Sequence, residues 1–156
     1  MISASAGFAA KGLIPFVTGF AVFLLRGFEQ ARLSIGYTKR NVKIVASHPG
    51  LDVGPDGGSA QCLEDLACFR SLPNFVVISP ADSIEMKAAL KAIIDYEGPV
   101  YMRTGRSQSF PIYNKDIDFK IGKGRILKRG NKICIISIGA TVYRAIEARD
   151  LIKSEF

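Results

Sequence analysis

The only histidine in the chain, His48, stands in the stretch ASHPGLDVGPDGGSAQ, residues 46–61, directly after a run of mostly β-branched residues. A packed core has no use for such a segment. An imidazole exchanges protons near neutral pH. Asp56, set between Pro55 and Gly57, would sit at the tip of a turn with its carboxylate free to accept hydrogen bonds from hydroxyl groups. Gly50, Gly54, Gly57 and Gly58 permit positive φ and let backbone approach a ligand closely. The chemistry on offer is recognition of hydroxyl groups with a proton donor or acceptor alongside. Composition alone leaves a second reading open, a capped turn in which His48 and Asp56 bond only to backbone.

Two further groups could join that loop. Phe20 and Phe23, three apart, fall at the opening of a helix and share a face. Aromatic residues at that spacing are usually core, but beyond a strand end they can stack on a flat heterocycle. Arg103 and Arg106 in YMRTGRS, also three apart, offer planar guanidinium forks for a phosphate or form a pair of surface cations. Neither GxGxxG nor GxxxxGK[ST] occurs, so no glycine-rich loop opening a helix cradles phosphates. The GDG-then-Asn metal motif is missing too, and the lone histidine has no nucleophile elbow beside it.

The elements that must hold these residues are short β-rich runs alternating with helical patterns. Residues 14–18, 42–46, 74–78 and 100–102 read as strands. Residues 22–35, 61–70 and 82–96 read as helices, the last opened by Asp82 with Glu85 three positions on and stopped by Gly98-Pro99. Such alternation predicts an α/β fold with a mostly parallel sheet and helices on both faces. Ligands in such sheets sit beyond the carboxyl ends of the strands, where both the His48 loop and Arg103–Arg106 fall. Residues 107–125 read as a linker, 132–138 (KICIISI) as a strand and 141–153 as a helix, the start of a second, incomplete α/β domain over 126–156.

Composition narrows the class. The chain has 156 residues, 48% of them apolar, enough for one ordinary core. The longest apolar stretch, Leu13 to Leu25, is broken by Pro15, Thr18 and Gly19 and is too short to span a bilayer, so no membrane association is expected. The N-terminus lacks the basic-then-apolar order of a secretory signal, and a cytoplasmic location is the default. Three cysteines without CxxC spacing argue against zinc or a disulfide framework. The net charge of +7 is spread along the chain without a basic block, which argues against nucleic acid as partner.

On these motifs the chain resembles the transketolase family, in its pyrimidine-binding domain, over about residues 6–106. SHxG, DG[GP]S, LEDLA, FRSLPN and PAD occur in order, within VKIVASHPGLDVGPDGGSAQCLEDLACFRSLPNFVVISPAD. The synthase of 1-deoxyxylulose 5-phosphate and the β subunits of 2-oxoacid dehydrogenases share the fold and are the nearest alternatives. The synthase usually carries Asp-Arg-Ala-Gly where this chain has Ser47-His48-Pro49-Gly50, which favours transketolase. The resemblance implies thiamine diphosphate as cofactor, with Phe20 and Phe23 against its aminopyrimidine ring. It implies His48 as the catalytic residue near the sugar's hydroxyl and carbonyl groups, Asp56 on a sugar hydroxyl and Arg106 on the sugar phosphate. It further implies that Mg2+ and the diphosphate are held by another, N-terminal subunit in a homo- or hetero-oligomer, as in split transketolases, and that this chain alone is inactive. The family's glutamate for the pyrimidine N1′ aligns about three residues before Met1, and many members carry histidine or glutamine where this chain has Ala60. Those departures keep a non-catalytic assembly subunit as a further alternative.

Overall fold

The computed structural model describes residues 1–107 and 109–152. Four parallel strands, β1 (Phe16–Phe20), β2 (Lys43–Ser47), β3 (Val76–Ile78) and β4 (Val100–Thr104), form one sheet in the order β1-β2-β4-β3. The expected parallel α/β architecture is therefore present. Helices α1 (Ile2–Ala10), α2 (Ala21–Leu25), α3 (Phe28–Gln30), α4 (Asp65–Ser71), α5 (Ser83–Asp95) and α6 (Thr141–Ile152) complete it. The core lies in two layers. Val17, Ala21, Leu24, Ile35, Ile44, Phe69 and Tyr101 pack together, and Ile78, Ala89, Ile93, Val100 and Met102 form the second cluster. A face-to-face stack of Phe69 on Tyr101, with centroids 3.8 Å apart, fills the middle of the first layer.

Several elements differ from the sequence reading, each for a local reason. β1 runs two residues past Thr18, so Phe20 ends a strand and caps α2 instead of opening a helix face with Phe23. The single helix expected over 22–35 is three pieces, α2, α3 and a wide π-helical segment, Ala31–Tyr37. The break falls at Gly27, where any Cβ would come within 2.6 Å of Ile2 Cδ1 on α1. β3 starts at Val76 because Asn74 takes a left-handed φ of 66° and donates its side-chain amide to the Gly36 carbonyl instead. α1 went unforeseen. Residues 132–138 belong to no strand of the described structure, so the expected strand there does not form. The expected end of the last helix, Lys153, lies outside the described residues.

Two polar anchors set the ends of the sheet. Lys43, fully buried, donates from Nζ to the carbonyls of Tyr96 (2.7 Å) and Gly98 (2.8 Å), which fixes the turn feeding β4; burial lowers its pKa to about 8. Asp82 does more than cap α5. Its Oδ1 accepts from the Glu85 N–H (2.8 Å), and its Oδ2 accepts from the N–H groups of Ile112 (2.8 Å) and Tyr113 (2.9 Å). The Glu85 carboxylate accepts the Ala81 N–H in return. The segment that reads as a linker is thus pinned to α5 by one buried carboxylate.

Burial would raise the Asp82 pKa, but the backbone donors of Glu85, Tyr113, Ile112 and Ile84 outweigh it and hold the pKa below its ordinary 3.8. The unfolded chain therefore takes up this proton first as pH falls. The contribution is fully present at neutral pH and is lost as pH drops below about 4 through the lower folded value. Asp82→Ala is expected to cost about 2–4 kcal/mol, a helix cap plus two charge-assisted bonds. Urea unfolding at pH 7 and at pH 3 checks both the size and the sign: the gap between wild type and variant should shrink at the lower pH.

Candidate functional site

Register decides what meets at the carboxyl edge. Phe20 lies opposite Ser47, and Ser47 opposite Thr104, so β1, β2 and β4 end level with one another. The chain leaves β1 into α2 with Phe23, leaves β2 into the His48 loop, and leaves β4 toward Arg106. All five residues expected at the site therefore reach the same edge of the sheet.

Their contacts form a continuous line. The Phe23 and Phe20 rings stack 5.4 Å apart, and Phe20 stacks on the His48 imidazole with centroids 3.6 Å apart and planes 17° from parallel. His48 Nε2 lies 3.5 Å from Asp56 Oδ2, and Arg106 Nε lies 3.4 Å from the same oxygen. Phe23 is 60% exposed. It borders a cavity of about 320 Å³ lined also by Met1, Ile2, Ser3, Leu24, Gly27 and Gln30. An exposed aromatic ring beside a cavity offers a surface on which a flat ring can stack.

The His48 loop is strained and held from several sides. His48 itself adopts a left-handed φ of 55° and Gly50 one of 77°, two such residues in three. Only glycine takes that conformation freely, and the histidine persists in it because its surroundings fix it. Ser47 Oγ contacts His48 Nδ1 at 2.9 Å and donates to the Gly19 carbonyl at 3.3 Å. Gly50 and Cys62 form an antiparallel bridge, with N···O distances of 2.6 and 3.2 Å, which closes the loop at its base. Short 3₁₀ turns at Gly54–Asp56 and Gly58–Ala60 carry Asp56 to the tip. Ser107 Oγ donates to Asp52 Oδ1 at 2.6 Å, a second tie between the β4 exit and the loop.

Sequence reading passed over the groups behind the loop. Asp65 is fully buried. It accepts from the Tyr101 hydroxyl at 2.7 Å, and both its oxygens face the Arg103 guanidinium, at 2.9 Å to Nε and 3.2 Å to Nη2. Burial and the Asp65 carboxylate both raise the Tyr101 pKa, so its hydroxyl stays a donor. Arg103, half of the pair expected to face a phosphate, is thus turned inward, while Arg106 stays 40% exposed. A strand position facing α4 is the only sequence signal that could have separated the two arginines. Ala60 is buried and apolar. Among the described residues no group of three or more His, Cys, Asp and Glu side chains is placed to hold a metal ion, and no helix is long and apolar enough to cross a membrane.

A parallel α/β sheet with aromatic, imidazole, carboxylate and guanidinium side chains gathered at one carboxyl edge defines an α/β domain with its polar cluster where such sheets commonly bind ligands. Residues 1–110 match the transketolase pyrimidine-binding domain, and the chain belongs to that family. It is 42% identical over 156 residues to a putative transketolase C-terminal section of Methanocaldococcus jannaschii, a match covering 98% of this chain and 49% of that protein. A subunit of 6-deoxy-6-sulfo-D-fructose transketolase from a Clostridium species is 36% identical over 151 residues, 96% of this chain and 47% of that one. A solved structure described as split-gene transketolase, inactive β4 tetramer, superposes with a TM-score of 0.90 at 42% identity, covering 99% of this chain and 50% of that one. The chain thus spans about half the length of these relatives.

The cysteine at the loop base is a structural thiol. Burial, then the neighbouring carboxylates of Asp65 and Glu64, push the Cys62 pKa up to about 11, whereas Cys134 is exposed. The thiolate is the reactive form. A thiol reagent at pH 8 should therefore label Cys134 readily and Cys62 only after unfolding. Peptide mapping of labelled native and denatured protein checks this; fast native labelling of Cys62 would mean that the loop base opens.

Proposed function

We propose that this chain is the pyrimidine-side part of a thiamine-diphosphate-dependent transketolase, which moves a two-carbon ketol unit from a ketose phosphate to an aldose phosphate. The observation that carries the reading is the unbroken line from the Phe23 face and its cavity through Phe20 and His48 to Asp56 and Arg106, all on one sheet edge. In this reading residues 1–106 form the pyrimidine-binding domain, 107–125 the linker, and 126–156 the start of a further domain. A partner N-terminal subunit would supply the diphosphate site and Mg2+, within a homo- or hetero-oligomer in the cytoplasm.

Each residue then has a defined task. Phe23, backed by Phe20, offers its open face to the aminopyrimidine ring. Bound there, the cofactor supplies the carbanion-stabilising chemistry, and the protein supplies position. His48 exchanges a proton with the sugar hydroxyl or carbonyl oxygen that lies against Nε2. Asp56 accepts a hydrogen bond from a further hydroxyl. Arg106 holds the terminal anion, and as that anion takes its guanidinium, Asp56 is released from its 3.4 Å contact for the sugar. The sulfo-sugar relative suggests that a sulfonate could fill the same place as a phosphate.

One observation favours a second reading, a non-catalytic assembly subunit: Ala60 is buried and apolar where many family members carry a proton-transferring side chain. Turnover measured with the companion diphosphate-binding chain separates the two. The isolated chain should neither bind thiamine diphosphate tightly nor turn over sugars. In the complete assembly Arg106→Ala should raise KM for phosphorylated sugars by about 10- to 100-fold, equivalent to about 1.5–3 kcal/mol for a hydrogen bond to a charged group. KM for hydroxypyruvate, which has no phosphate, should barely change. Equal losses for both substrates would make Arg106 structural.

A further inference from the structure

The Asp65–Arg103 pair is buried, charged and untouched by any step above. Asp65 is the first residue of α4, and Arg103 lies in β4 directly opposite Ala46, two residues before His48. A Cβ added at Gly50 would lie 3.6 Å from Arg103 Nη2, so the end of the guanidinium sits beside that position of the His48 loop. On the other limb of the loop, Cys62 bridges Gly50 three residues before Asp65. One carboxylate therefore joins the helix that follows the loop to the strand beside it, three residues on from the cysteine that bridges Gly50. A core layer formed for stability alone has no need of a charged pair, because apolar side chains of similar volume serve as well or better.

We propose that Asp65 and Arg103 are positioning residues: they brace the Gly50–Cys62 base so that the left-handed His48 keeps its ring stacked on Phe20 with Nε2 toward Asp56. The catalytic consequence rests on the functional reading given above; the placement of the imidazole does not. Neither residue touches substrate. Arg103 acts from beside Gly50, and Asp65 holds Arg103 by a hydrogen bond from Nη2 at 3.2 Å and by an ion-pair contact at Nε, 2.9 Å, that lacks hydrogen-bond geometry.

His48 is the chain's single histidine, so its ring signals in an NMR spectrum are unambiguous. In the wild-type chain, the stack on Phe20 should shift the imidazole protons away from the position of a solvated histidine. Asp65→Asn, and separately Arg103→Lys, which keeps the charge but loses the planar fork, should move those signals toward the solvated position. Tyr101→Phe, which removes only the hydroxyl donated to Asp65, serves as the control for general loosening of the same core and should leave them in place. Unmoved His48 signals in both clasp variants would overturn the proposal, as would an equal movement in Tyr101→Phe. If neither clasp variant folds, the pair belongs to the core and the proposal fails as well. In the complete two-subunit enzyme, Arg103→Lys should lower kcat by up to about 100-fold, the scale of a catalytic group displaced by about 1 Å, with KM for hydroxypyruvate little changed. If the wild-type assembly shows no two-carbon transfer, the functional reading fails while the NMR comparison still decides the positioning.

Discussion

The shared register of β1, β2 and β4 is the constraint on which the rest of the molecule depends. Parallel pairing sets Phe20 against Ser47 and Ser47 against Thr104, so three separate chain segments leave the sheet at one level. A slip of one residue in β2 would turn Ile44 and Ala46 from the first core cluster toward the second and carry His48 off the Phe20 ring. Lys43 guards against that slip from the opposite end. Its ammonium, buried at the start of β2, donates to the carbonyls of Tyr96 and Gly98, just before β4. A displaced strand would leave a buried charge and the buried Gly98 carbonyl without partners, a cost of several kcal/mol.

Against that rigid edge the His48 loop is a strained insertion. A non-glycine residue in the left-handed region costs about 1–2 kcal/mol, and His48 occupies it beside a second left-handed turn at Gly50. The stack on Phe20, worth about 0.5–1.5 kcal/mol beyond the area it buries, offsets part of this. The Gly50–Cys62 bridge and the ties from Ser107 and Arg106 to Asp52 and Asp56 restrict the alternatives. The strained conformation is what lets a residue immediately following β2 turn its ring back across the sheet edge onto β1.

Much of this was legible in the sequence because periodicity and turn chemistry act locally. Each strand was placed within two residues, and the Asp82–Glu85 cap fell where the residue types indicated. What escaped depends on contacts distant in sequence. α1, rich in alanine, serine and glycine, has no marked apolar stripe and owes its place to Ile2 and Ala6 packing into the core. The break at Gly27 exists because that helix presses against it. Residues 133–138 have all the local character of a strand, yet Ile136 is 90% exposed: propensity without a neighbouring strand does not make a sheet. The candidate site followed the same division. His48, Asp56 and Arg106 declare themselves by type and spacing, whereas the inward turn of Arg103 depends on Asp65, 38 residues away.

The aromatic line also has a chemical consequence that its individual residues lack. Phe20 lies within stacking distance of both Phe23 and His48. Phe23 is largely exposed and borders the cavity. A heterocycle resting there would extend a stack whose far end is the imidazole, and so the position of a ring in the cavity and the position of His48 are set by the same contacts. The loop side of His48 is fixed independently, by Ser47 at Nδ1 and by the bridge at Gly50. An imidazole held along its face and at Nδ1 turns its Nε2 to Asp56, which Arg106 meets in turn at the same carboxylate oxygen.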